Sequence, residues 1–147
     1  MIIEELMTPN PECCTPETKL HDVSRIMAEC DCGAVPVVED LNAKKPLGMI
    51  TDRDITVRLV ALGVNPLEKT AADAMTKSTI TARPEMDIKE AARLMKENQV
   101  RRLIVQNVEG SCVGILAQAD LALDVEDRRT GDVVQSISEP SRTHAMA

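Results

Sequence analysis

The chain has 147 residues, enough for one compact domain or for two small halves that share a core. It contains no Phe, Tyr or Trp and has a net charge of −7 from 17 basic and 24 acidic side chains, which argues against a nucleic-acid partner: base stacking and phosphate neutralisation both lack their residues. No apolar run nears the roughly 20 residues that cross a bilayer, and Met1-Ile2-Ile3-Glu4-Glu5 lacks the basic start and apolar stretch of a signal peptide, so a cytoplasmic protein is expected.

In chain order, Cys13-Cys14-Thr15 reads as a short strand, and Leu20, Val23, Ile26, Met27 and Cys30 fall on one face of a helix. Ala34 to Val38 is an apolar, β-branched run and so a strand. Asp40 to Pro46 reads as a hairpin turn into a second strand, Leu47 to Ile50. Thr51 to Leu62 reads as a helix ended by Gly63, and Gly63-Val64-Asn65-Pro66 as a linker. Thr70 starts a short helix leading to Met75, and Thr79-Ile80-Thr81 is the next short strand. Ile88, Ala91, Ala92 and Met95 follow helical spacing, with Asp87 and Glu90 as a capping box. Arg102 to Gln106 is a strand, Asn107 to Ser111 a turn, and Gln118 to Asp127 the closing helix. Asp127 onward is a tail in which Thr130 to Ile137 could form a short helix, with disorder expected from Pro140.

The order repeats. Met7-Thr8 returns as Met75-Thr76, Met27 as Met95 and Val35-Pro36-Val37 as Leu103-Ile104-Val105, each offset by 68 residues. After a shorter loop, Gly48 meets Gly114 and Asp54 meets Asp120 at an offset of 66. The chain is thus α+β, two copies of a β-α-β-β-α unit, expected to pack about a pseudo-twofold axis. The division is residues 1–66 for the first motif with its lead and linker, 67–126 for the second, and 127–147 for the tail.

In both copies a carboxylate stands three residues past a strand end: Gly48-Met49-Ile50-Thr51-Asp52-Arg53-Asp54 and Gly114-Ile115-Leu116-Ala117-Gln118-Ala119-Asp120. A helix start offers bare N–H groups and partial positive charge there, a place to hold a small polar ligand. Thr51-x-x-Asp54 also reads as a plain capping box that needs no ligand, although Ala117 in the second copy has no hydroxyl with which to cap. Arg101-Arg102 suits phosphate, or is a solvated pair at a strand start.

Five cysteines, at 13, 14, 30, 32 and 112, are an odd count without an export signal, which argues for reduced thiols. Cys13, Cys14, Cys30 and Cys32 belong to one motif and form an alternative metal or thiol-sensor set, but their spacing is not that of a zinc knuckle and no metal is expected. His21 and His144 are the two histidines, no nucleophile–base pair is visible, and an enzyme is not expected.

With its Met-Thr lead, its Val35-Pro36-Val37-Val38 strand and its Gly-x-x-Thr-x-x-Asp motif, the chain resembles a tandem pair of cystathionine-β-synthase (CBS) domains, a Bateman module. Thr51-Asp52-Arg53-Asp54-Ile55 and Gln99-Val100-Arg101-Arg102 are similar to small stand-alone bacterial pairs of the hypoxic-response type. The resemblance covers roughly residues 3 to 125 and implies a non-enzymatic regulatory module. It would bind an adenosine-containing ligand, AMP, ADP or ATP before S-adenosylmethionine or NAD, in inter-motif clefts, require no cofactor, and form a homodimer.

Carried over by position, the resemblance implies that Asp54 and Asp120 hold ribose hydroxyls and that Thr51 touches ribose or phosphate. One cleft joins Thr51 and Asp54 to Thr79, Ile80, Arg101, Arg102 and Leu103. The other, weaker one joins Asp120 to Cys13, Cys14, Gly33, Ala34 and Val35. The sequence departs from the family pattern at Ala117, and no basic residue stands near Gly33 to meet a phosphate. The alternative is a ligand-free scaffold that docks an unidentified target protein.

Overall fold

The computed structural model describes residues 1–78 and 80–122. In chain order the elements are β1 (Thr8–Pro9), α1 (Leu20–Cys30), β2 (Ala34–Val38), β3 (Pro46–Thr51), α2 (Asp52–Arg58), α3 (Ala71–Ala74), β4 (Thr76–Lys77), β5 (Thr81–Ala82), α4 (Ile88–Asn98), β6 (Arg102–Gln106), β7 (Cys112–Ala117) and α5 (Gln118–Ala122). The fold is α+β, with one sheet ordered β1-β7-β6-β5 and another β2-β3-β4.

The chain forms two compact units that interleave along the sequence. Among the described residues, a first-repeat unit comprises 10–78 with 109–112, and a second-repeat unit comprises 1–9, 80–108 and 113–122. The repeat and the folded unit therefore have different borders. Each Met-Thr lead pairs with the last strand of the other repeat: Thr8 is antiparallel to Ile115 in β7, and Thr76 to Met49 in β3.

The two cores are built from matching positions. In the first-repeat unit Cys14, Leu20, Val23, Met27, Val35, Val37, Ile50 and Ala71 are buried together. In the second-repeat unit their counterparts Ala82, Ile88, Ala91, Met95, Leu103, Val105, Leu116 and Ile3 are buried together. Helical spacing puts Leu20, Val23 and Met27 on the buried face of α1, as it does Ile88, Ala91, Ala92 and Met95 on α4. Both helices end in a left-handed residue that is not glycine, Asp31 at φ 51° and Gln99 at φ 55°. The amide after each returns to the helix, Cys32 N to Met27 O and Val100 N to Met95 O, both at 3.0 Å. All five residues of β2 are buried, whereas β7 buries alternate ones, Cys112, Gly114 and Leu116.

Several elements differ from their sequence expectation. The helix expected over Thr51 to Leu62 stops at Arg58, and a separate 3₁₀ turn covers Val60–Leu62 before Gly63 at φ 78°. Ile55, Thr56 and Val57 are β-branched and hold a helix poorly, and the break at Leu59 turns that side chain into the core, 5% exposed. The strand expected at Cys13-Cys14-Thr15 is a single parallel bridge, Cys14 to Val37. Pro11 and Pro16 flank it without N–H groups to extend the ladder. The second short strand lies at Thr81–Ala82, and Thr79 falls outside the described residues. Asp87 caps α4 by accepting from Lys89 N at 2.8 Å rather than through a reciprocal box with Glu90. The remainder of the closing helix to Asp127, the Thr130 to Ile137 segment and the tail also lie outside the described residues.

Candidate functional site

β3 delivers Thr51 to the start of α2, and there Thr51 and Asp54 bind each other's backbone. Thr51 Oγ1 accepts from Asp54 N at 3.0 Å, and Asp54 Oδ2 accepts from Thr51 N at 2.9 Å. The carboxylate's second oxygen, Oδ1, lies 3.7 Å from Arg58 Nε and 3.5 Å from Thr76 Oγ1. Arg58 also donates to Met75 O at 3.1 Å and to Thr76 Oγ1 at 3.0 Å, fixing α2 to the β4 edge. The Asp54 side chain is 17% exposed. It is an anchored carboxylate with one oxygen held by a backbone amide and the other beside a cation and a hydroxyl.

Sequence reasoning missed Arg58 and Thr76. Arg58 carried a usable signal, since it stands four residues after Asp54 on the same helix. Thr76 reaches the site only through the β3–β4 pairing, which no local pattern announces.

In the second-repeat unit β7 delivers Ala117 to the start of α5, and Asp120 Oδ2 accepts from Ala117 N at 2.7 Å. The half of the box that a side chain supplies is absent at Ala117, but the carboxylate stands at the same place. Gln118 N donates to Arg101 O at 2.8 Å, so the start of α5 is tied to the residue that leads into β6. Arg101 and Arg102 are exposed, Leu103 is buried and Ile80 is half-buried. In the first-repeat unit, Ala34 pairs with Thr51 and Val35 with Ile50, while Asp52 N donates to Gly33 O at 3.0 Å. Thus Gly33, Ala34 and Val35 lie beside Thr51 and Asp54 within one unit, and Arg101 to Leu103 lie beside Asp120 within the other. Thr79 is outside the described residues.

The cysteines do not assemble as the alternative metal set requires. Among the described residues no three His, Cys, Asp or Glu side chains are placed to hold a metal ion. Cys14 is buried, and burial pushes its thiol up to about 12. Cys13, half-buried, is held below the usual thiol range by a hydrogen bond from Cys112 and by the charge of Lys44. Cys32, near Cys30, is raised by desolvation and by its neighbour's charge.

A pair of repeated β-α-β-β-α units, each ending a strand on an anchored carboxylate, defines a tandem CBS-type module. The family model described as CBS domain matches residues 3–61 and 71–126, and the chain belongs to that family as a CBS-pair regulatory module. It is 30% identical over 137 residues to the CBS domain-containing protein YhcV of Bacillus subtilis, covering 92% of this chain and 94% of that one. It is 31% identical over 136 residues to hypoxic response protein 1 of Mycobacterium tuberculosis, covering 92% and 93%. The structure of Hypoxic Response Protein I, solved with two coordinated zinc ions, superposes with a TM-score of 0.73 at 30% identity over 84% of this chain and 98% of that one. That of the CBS-pair protein CBSX2 from Arabidopsis thaliana, solved in complex with AMP, gives 0.67 at 27% identity over 86% and 98%. No described helix is long and apolar enough to cross a membrane.

Proposed function

We propose that this CBS pair is a non-enzymatic sensor of an adenosine nucleotide, AMP, ADP or ATP. The observation that carries the reading is the duplicated carboxylate. Asp54 and Asp120 are each fixed through Oδ2 by the amide three residues earlier, whether or not that residue has a hydroxyl with which to cap. A carboxylate so fixed has acceptor capacity left for a pair of ribose hydroxyls. The AMP complex of CBSX2 supports the ligand class.

In this reading Asp54 and Thr51 hold the ribose, Arg101 and Arg102 meet phosphate, and Thr79, Ile80 and Leu103 complete the contacts. Asp120 with Cys14, Gly33, Ala34 and Val35 forms a weaker second site, because Ala117 lacks a hydroxyl. The nucleotide acts by binding one arrangement of the module better than another. A homodimer is part of the proposal, and the output is an unidentified target protein. The test uses the absence of aromatic side chains: a pure sample has almost no absorbance of its own near 260 nm. Purified protein with an adenine spectrum, or one that retains it through gel filtration after incubation with AMP, supports the reading. Absence of both leaves the scaffold as the better account.

A further inference from the structure

Two thiols from distant parts of the chain meet in the first-repeat unit. Cys13 lies between the Pro11 carbonyl, to which its Sγ donates at 3.4 Å, and the Cys112 thiol, with which it is hydrogen-bonded. The contact is held from both sides by the backbone. Cys14 N and Val38 N bond across to Pro36 O and Cys14 O at 3.0 and 2.8 Å, fixing residue 13 against the β2 edge. Cys112 N donates to Lys44 O at 2.8 Å, and Ser111 Oγ to Ala43 O at 2.6 Å, fixing the start of β7 on the β2–β3 loop. The two sulfurs differ in access: Cys13 is half-buried and Cys112 is 4% exposed.

We propose that Cys13 and Cys112 are a site of reversible oxidation by hydroperoxides, Cys13 as the attacking thiol and Cys112 as the resolving one. The Cys13 thiolate attacks the terminal peroxide oxygen; an S–O bond forms, the O–O bond breaks, and the leaving oxygen takes a proton as water or alcohol. The Cys112 sulfur then attacks the resulting sulfenic acid. An S–S bond forms, the S–O bond breaks, and the hydroxyl leaves with the Cys112 proton as water. The two thiols lose two electrons, and the hydroperoxide is reduced by the same two. The hydrogen bond from Cys112 and the positive charge of Lys44 both favour the Cys13 thiolate, the form that reacts. In a reducing compartment such a bond is transient, which is the behaviour of a sensor rather than of a structural staple. The buried Cys14 and the exposed Cys30 and Cys32 take no part.

The proposal is independent of nucleotide binding and is tested on the full chain without ligand. Reduced protein is treated with a small excess of hydrogen peroxide, its remaining thiols are blocked, and its peptides are sequenced by mass spectrometry. The expected product is a reducible cross-link between the Cys13 and Cys112 peptides, within one chain and lighter by two hydrogens. Fragment-ion sequencing of the wild-type product assigns the link to Cys13 rather than Cys14 without relying on a variant. A Cys13→Ser variant should lose the cross-link, and a Cys30→Ser/Cys32→Ser double variant should keep it. Sulfinic or sulfonic acid at Cys13 without the link, a link from Cys14, Cys30 or Cys32 instead, or a bond between two chains would overturn it.

Discussion

Thr51 and Asp54 each satisfy the other's backbone amide, at 3.0 and 2.9 Å, whereas Ala117 returns nothing to Asp120. The repeat thus holds a complete box in one copy and half a box in the other. Replacing an N-cap hydroxyl by Ala costs roughly 0.5–2 kcal/mol. Thr51→Ala should therefore destabilise the protein by about 1 kcal/mol, and Ala117→Thr should stabilise it by a similar amount, about 0.5–1 kcal/mol. Thermal or denaturant unfolding of both variants checks the pair. An Ala117→Thr variant no more stable than wild type would show that α5 gains nothing from a cap.

The glycines at matched positions should differ in cost for a stated reason. A Cβ on Gly48 would strike the Thr76 carbonyl and lie 2.9 Å from Lys77 Cα, which are backbone atoms of β4 and cannot yield alone. On Gly114 it would meet the Met7 side chain, at 3.1 Å from Cγ, and a thioether chain can swing aside. Gly48→Ala should cost about 3 kcal/mol and Gly114→Ala about 1 kcal/mol. Equal losses in urea unfolding would contradict the β3–β4 pairing as the cause.

Thiol labelling reads the burial of Cys14 directly. With its thiol pushed up to about 12 from 9.0, the thiolate fraction near pH 8 is about a thousandfold lower than for an unshifted thiol. Iodoacetamide at pH 8 should modify Cys30 and Cys13 while leaving Cys14 intact until denaturant is added. Labelling of Cys14 in the folded protein at the rate of Cys30 would rule out its place in the core.

Association should be visible in solution. Val57, Val60 and Leu62 are 42%, 53% and 74% exposed on α2 and the turn that follows, and Leu67 is 67% exposed. A run of uncovered apolar side chains favours a partner surface, and closed twofold pairing is the commonest solution. Sedimentation should give about 32 kDa, twice the 16.0 kDa chain, and Leu62→Glu should shift it toward monomer. A wild-type monomer at micromolar concentration would remove the dimer from the account.

What could be read in the sequence was whatever recurs. The 68-residue offset aligned Met27 with Met95 and Val35 with Leu103, and those pairs occupy matching places in the two cores. Helical spacing gave α1 at its bounds, and the apolar runs gave β2 and β6. Local signals failed where a distant segment decides the outcome. Nothing near Thr8 or Thr76 says that each lead pairs with the other repeat's last strand. Nothing near Cys13 points to Cys112, which reaches it through the loop that clamps Lys44 and Ala43. The early end of α2 is legible in Ile55-Thr56-Val57, yet Gly63 is the louder stop signal in the sequence.

Calorimetric titration of the dialysed protein with AMP, on wild type, Asp54→Ala and Asp120→Ala, tests the central claim most directly. A hydrogen bond to a charged acceptor is worth roughly 1.5–3 kcal/mol, so Asp54→Ala should weaken binding by about ten- to a hundredfold while Asp120→Ala weakens it less. Because Asp54 also caps α2, each variant is first shown to be folded by its cooperative unfolding transition. Saturable heat with wild type, lost in folded Asp54→Ala, is the predicted result. Heat unchanged by Asp54→Ala, or no heat from wild type with AMP, ADP or ATP, would contradict the nucleotide-sensor account.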